Sequence, residues 1–103
     1  MSRWRLPTLH ELFSTFDHEK GKSTINGFNS DFYWSSTTHI NDTNSAWIVG
    51  FGYGYIYDYR KSHICYVRCV RGAEDGKLEW SKPSKEKMTW EKACEYCERI
   101  NNE

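Results

Sequence analysis

The sequence is short of three things, and each shortage excludes something. It has no surplus of either charge: 14 Lys and Arg stand against 14 Asp and Glu, for a formal net charge of zero. A general binder of nucleic acid or of an anionic membrane draws its affinity from excess cations, so neither class fits. It has no long apolar run. No stretch approaches the roughly 18 residues of a membrane-crossing helix, and no secretory leader is visible at Met1. It is also poor in aliphatic residues, with a mean hydropathy of −0.83.

What it has instead is rings. Five Trp, seven Tyr and five Phe make up 17% of 103 residues. Rings bury much area each, so a chain of this length can still build a core, and one domain is the expectation. Rings are also common at binding surfaces.

Apolar spacing organises the chain. Leu9, Leu12, Phe13 and Phe16 recur at helical intervals after Thr8, with Glu11 placed for a capping box, which predicts a helix over 9–17. Residues 18–31 read as a long loop. Residues 32–34 and 46–51 read as strands separated by a polar loop, 35–45. Gly52-Tyr53-Gly54 suits a hairpin turn. Strands follow at 55–60 and 64–71, and the run 46–51, 55–60, 64–71 reads as an antiparallel meander. Residues 78–80 suit a short strand and 81–87 a charged loop. Thr89 then opens a second helix, on which Trp90, Ala93, Cys94, Cys97 and Ile100 form one apolar face.

The four cysteines allow several chemistries. Cys65 and Cys69 share a face of the last long strand, about 13 Å apart, which is too far for one zinc ion without a bulge. Disulfides from this strand to the helix above it are favoured: Cys69 with Cys97, and Cys65 with Cys94 as a second bridge. Free buried thiols are the alternative. A nucleophilic cysteine needs an exposed, electropositive setting, which these apolar faces do not offer.

Four segments together carry a resemblance: WRLPTLHEL at 4–12, YWSSTT at 33–38, AWIVGF at 46–51 and YVRCVRG at 66–72. They resemble the Lcl C-terminal domain family, the C-terminal domain of collagen-like adhesins. The tail, LEWSKPSKEKMTWEKACEYCERINN, is similar to the segment that opens that family's domain, so the resemblance spans nearly the whole chain in permuted order. It implies an α+β, C-type-lectin-like fold over 1–103, with two helices flanking a small twisted antiparallel sheet and long loops. Residues 1–72 would be the family core, and 77–103 the strand and helix that normally come first. It also implies a disulfide between Cys97 and Cys69. The tail can fold back onto its own sheet, bringing the chain ends together, or dock on a neighbouring copy by a swap. The segment also fits a cut from a tandem array.

An enzyme is not expected. His10, His18, His39 and His63 are scattered, with no metal or triad spacing, and the glycines at 50, 52 and 54 precede a strand rather than a helix. The family's lectin-like fold would not bring the usual calcium motifs, since Glu-Pro-Asn and Gln-Pro-Asp are absent, and Asn41-Asp42 offers too few oxygens. No cofactor, metal or calcium is expected. A binding module fits better: Tyr53, Tyr55, Tyr57, Tyr59 and Arg60 on the hairpin, with His39, Asn41 and Asp42 from the polar loop, combine rings with hydrogen-bonding groups as a sugar site does. Tyrosines along a strand also serve plain sheet packing. Arg60, Lys61, Arg68 and Arg71 supply a minor basic cluster for a sulfated ligand. The expected partner is a glycan or protein ligand on a surface, with no nucleic acid and no membrane insertion, outside the cell or on its surface. The competing function is an assembly module, a homo-oligomer formed by swapping the C-terminal helix.

Overall fold

The Thr8 hydroxyl accepts the Glu11 N–H at 3.1 Å, and the Glu11 carboxylate accepts the Thr8 N–H at 2.8 Å. This reciprocal pair starts helix α1, Leu9–Ser14. The structure, a computed structural model, describes residues 3–17, 22–23, 31–51, 55–73 and 76–102, and the backbone alone at 16–17, 22–23 and 55. In chain order the elements are α1, β1 (Phe16–Asp17), β2 (Lys22–Ser23), β3 (Phe32–His39), β4 (Asp42–Gly50), β5 (Tyr55–Arg60), β6 (Val70–Gly72), β7 (Leu78–Trp80) and α2 (Trp90–Ile100). The fold is α+β: two helices and a three-stranded antiparallel sheet in the order β3-β4-β5, with two-stranded ladders β1-β2 and β6-β7. No described helix is long and apolar enough to cross a membrane.

Three expectations about elements change. The first helix stops at Ser14 rather than 17. The Thr15 hydroxyl donates to the Leu12 carbonyl at 2.9 Å, its own N–H points to the same carbonyl, and the next two residues extend to pair with β2. The stretch 35–45 is not a loop: apart from Ile40 and Asn41, it belongs to β3 and β4. Several of its hydroxyls are cross-links within the fold. Ser35 is fully buried and donates to the Trp47 carbonyl at 2.6 Å, and Thr37 accepts the Leu9 N–H at 3.0 Å. Two extra residues in β3 between the pairs Trp34↔Ile48 and Thr38↔Ala46 make a bulge that fits this traffic.

The meander is also placed differently. Its members are β3, β4 and β5. The segment expected to follow β5 as its partner crosses instead to the far edge of β3. There the Tyr66 N–H donates to the Phe32 carbonyl at 3.0 Å and the Trp34 N–H to the Tyr66 carbonyl at 3.1 Å, a parallel bridge. Beyond it, Arg5 and Val70 exchange both backbone bonds, at 3.0 and 2.8 Å. Hydrophobic alternation identified an extended segment but not its neighbour, because two edges of one sheet accept an extended chain equally well.

The tail is fastened down by serines. Ser81 and Ser84 donate their N–H groups to the carbonyls of Cys69 and Val67, at 2.9 and 2.8 Å. Their side-chain oxygens accept the Cys69 and Val67 N–H groups in return, at 2.9 and 3.0 Å. Each serine thus supplies both halves of a strand-like exchange outside the regular strands, satisfying the Cys69 and Val67 amides. Met88 then exchanges backbone bonds with Cys65, at 2.8 and 3.0 Å.

Helix α2 lays its apolar face on one side of the sheet, forming a core of Leu6, Trp34, Ala46, Ile48, Cys65, Val67, Cys69, Ala93 and Cys97. Two indoles lock it: Trp34 Nε1 donates to the Met88 carbonyl at 2.8 Å, and Trp90 Nε1 to the Ser35 carbonyl at 3.0 Å. Helix α1 covers the other side through Leu12, which packs with Tyr33, Val49 and Phe51. Thr89 sits at the α2 N-cap in extended geometry, but its side chain makes no cap hydrogen bond, contrary to expectation.

Cys69 and Cys97 form the expected disulfide, with Cα atoms 5.6 Å apart. The second bridge is not formed: Cys65 and Cys94 are free thiols. The disulfide also removes two of the four thiolates that a zinc site would require. Helix α2 docks on its own chain. Arg3 pairs with Glu98, the Trp4 N–H donates to Asn101 Oδ1 at 2.7 Å, and Asn101 Nδ2 donates to the Trp4 carbonyl at 3.1 Å.

Candidate functional site

β5 runs along the open edge of the three-stranded sheet, and its exposed rings follow from its register. Tyr57 lies opposite Ile48 and Tyr59 opposite Ala46. Side chains of paired residues share a face, so both tyrosines stand on the side that α2 covers, but beyond the helix. They remain 46% and 37% exposed. Phe32, opposite Gly50, meets the Tyr57 ring edge-on at 5.9 Å between centroids. A Cβ on Gly50 would lie 2.6 Å from the Phe32 ring, so the bare glycine is what lets that ring settle on the sheet.

Between these rings is an open hollow of about 300 Å³ lined by Phe32, Ile48, Tyr57, Asp58 and Tyr59. A second hollow, about 310 Å³, continues past Tyr59 along Ser62, His63 and Ile64. The Tyr59 ring is the wall they share. It meets His63 edge-on at 4.4 Å and tilts against the buried Trp34 at 6.2 Å. With Ile64 55% exposed, the edge of the molecule is a strip of rings and apolar side chains.

The polar half of the expected site lies elsewhere. His39 stacks on Trp47, with centroids 5.0 Å apart, and accepts the Asn41 N–H on Nδ1 at 3.1 Å. Trp47 is opposite Asp58 and Ser45 is opposite Arg60, so these four side chains occupy the face opposite Tyr57 and Tyr59. Asp42 is engaged at the β3–β4 turn: one oxygen accepts the Asn44 N–H and the other the Ser45 hydroxyl, both at 3.1 Å. The Asn44 amide first, then the Ser45 hydroxyl, with the nearby Arg60 charge, hold the Asp42 carboxyl below the usual range. Asp42 is thus a turn-forming group. Tyr53 and the Tyr55 side chain lie outside the described residues.

The structure therefore brings Tyr57 and Tyr59 together and separates them from His39, Asn41, Asp42 and Arg60. It adds Phe32, Ile48, His63 and Ile64, which the sequence reading did not include. The pairing 48↔57 was the missing signal, since it puts Phe32 and Tyr57 on one face. The basic cluster is also divided. Arg71 makes a two-point ion pair with Glu79 at 3.1 Å and lies over the Trp4 ring, Lys61 lies over Trp90, and Arg68 is buried.

Neither free thiol sits in an activating setting. Burial, reinforced by Asp31 and opposed by Lys87, pushes the Cys65 thiol up to about 12. Burial also raises Cys94. A thiol so held carries almost no thiolate at neutral pH. Among the described residues, no three or more His, Cys, Asp or Glu side chains are grouped to hold a metal ion.

Set beside known families, residues 1–71 match the model of the Lcl C-terminal domain. No curated protein and no solved structure matches the chain. The matched span holds the three-stranded sheet and the ring-lined hollow. Helix α2 and the second half of the disulfide lie beyond it.

Proposed function

This chain belongs to the Lcl C-terminal domain family, and from that premise we propose that it is a non-enzymatic ligand-binding module whose ligand is a carbohydrate on a surface. The observation that carries this reading is the open hollow between Phe32, Tyr57 and Tyr59, floored by Ile48. The apolar face of a sugar ring stacks on aromatic side chains while its hydroxyls bond to carboxylates and phenols. A shallow, partly preformed surface of this kind suits one or two sugar units and a modest affinity. Asp42 is occupied by its own turn, which favours calcium-independent binding.

On this reading the domain is C-type-lectin-like and works in an oxidising setting outside the cell, with which the Cys69–Cys97 disulfide is compatible. The tail takes the place of the family's opening helix and closes the sheet within the same chain. Assembly through exchange of α2 draws no support from a helix held to its own chain by a disulfide, two indole bonds and Asn101.

A glycan array probed with the purified protein, with and without calcium, tests the proposal. Binding should be the same in both conditions. Tyr57→Ala, at a half-exposed position, should weaken it about tenfold while leaving the fold intact. Absence of binding at high concentration, or binding indifferent to Tyr57→Ala, would sink it.

A further inference from the structure

The ring-lined surface does not end at Tyr59. An extended strand rises about 3.4 Å per residue, so Tyr57 and Tyr59 stand about 7 Å apart along one face of β5. One hollow lies between Phe32, Tyr57 and Tyr59 over Ile48, and the second begins on the other side of the Tyr59 ring. The two differ in chemistry. At the first, rings and an isoleucine meet the space, since the Asp58 side chain stands on the opposite face with Trp47. At the second, Ser62 and His63 are both exposed. His63 uses its backbone N–H on the Arg60 carbonyl, at 2.9 Å, and sets its ring edge-on to Tyr59. Among the described residues, neither the Ser62 hydroxyl nor a His63 ring nitrogen makes a hydrogen bond. The second hollow therefore offers directional polar groups where the first offers stacking surface.

Resting on the carbohydrate reading above, we propose that the ligand is a neutral β-glucan chain, with consecutive glucose units in the two hollows and the Tyr59 ring between them. Charge argues for neutrality. No described Lys or Arg lines either hollow. Arg60 stands on the opposite face, and Lys61 lies over Trp90 and donates to the Thr38 hydroxyl at 3.0 Å. A sulfated or uronic chain would give up hydration of its anions here and gain no cation in return. Shape argues for the linkage. In β-glucose every ring substituent is equatorial, so both faces are apolar C–H surfaces and the hydroxyls project from the rim. Equatorial links then carry the chain on as a flat ribbon, which can follow the line of rings along β5 and past its end. An axial link would turn the second unit away from that line. In this arrangement one unit stacks among Phe32, Tyr57 and Tyr59. The next lies against Tyr59 and Ile64, with its rim hydroxyls at Ser62 and His63. Ser62 and His63 are thus the residues that read the second unit.

Chemical-shift titrations of the nitrogen-15-labelled protein test this, with near-UV circular dichroism confirming the fold of each variant. The probes are methyl β-glucoside, cellobiose, maltose and a sulfated heparin disaccharide. Cellobiose should bind at least about tenfold more tightly than the glucoside, because its second unit is held at high effective concentration beside the second hollow. It should shift the amides of both Tyr57 and His63. Maltose should gain no more than about twofold, and the heparin disaccharide should bind less tightly than cellobiose. His63→Ala should reduce the cellobiose gain to about twofold, and Tyr57→Ala should weaken every sugar that binds. If cellobiose gains nothing over the glucoside while Tyr57→Ala still weakens both, the carbohydrate reading stands and this proposal falls. A chain-length gain that survives His63→Ala overturns it, as does tighter binding of maltose or of the heparin disaccharide. Cellobiose that shifts no amide overturns it too, whatever a glycan array shows for other sugars.

Discussion

At the scale of single residues, the most heavily worked side chain is Glu11. It accepts the Thr8 N–H and also makes a two-point ion pair with Arg5, at 2.7 and 2.8 Å. The Arg5 guanidinium first, then the Thr8 backbone and side chain, with burial opposing, bring the Glu11 carboxyl down to about 2. A carboxylate whose folded pKa lies below its ordinary value adds stability that is complete above the ordinary pKa, about 4.5, and is lost as pH falls through about 2. Arg5 is 48% exposed, so solvent screening limits the contribution to roughly 1 kcal/mol. Urea titrations of the wild type and Glu11→Gln should therefore differ by about that amount at pH 7 and converge near pH 2. A gap that persists at pH 2 would mean the charge is not what matters.

At the scale of elements, the two helices begin with the same residue type and different chemistry. Thr8 caps α1 with its hydroxyl; Thr89 holds the same backbone geometry at α2 without the bond. Thr8→Ala should cost about 1 kcal/mol and Thr89→Ala only a few tenths, measured by thermal unfolding. The first cap was legible because Thr8 and Glu11 depend only on each other. The second was not, since the threonine spacing looks the same whether or not the hydroxyl turns inward. The same division runs through the sheet. The apolar face of α2, the strand at 78–80 and the hairpin strand at 55–60 are local patterns and were readable. Ser35 and Thr37 read as loop residues because their partners, Trp47 and Leu9, are distant in sequence. The neighbour of segment 64–71 was hidden for the same reason. So was the site: the tyrosine row was visible, but only the register shows that its companions are Phe32 and Ile48 rather than His39 and Asp42.

At the scale of the whole molecule, the disulfide joins residues 28 apart and ties α2 to the segment beside β6. Closing a loop of that length in the unfolded chain is worth about 3–4 kcal/mol in the chain-entropy account. Replacing Cys69 and Cys97 together by Ser should lower stability by that order in denaturant titrations. Cys65, by contrast, should resist a thiol reagent in the folded protein and react only on unfolding. The same arrangement sets an order of events during synthesis. Trp34, Ile48 and Val67 are made long before Ala93 and Cys97, which complete the core around them. At about 5–20 residues per second, the ribosome needs a few seconds to supply that last helix. Until then the nascent chain holds a half-covered aromatic sheet and an unpaired Cys69, a window in which a chaperone or an oxidase would find its substrate.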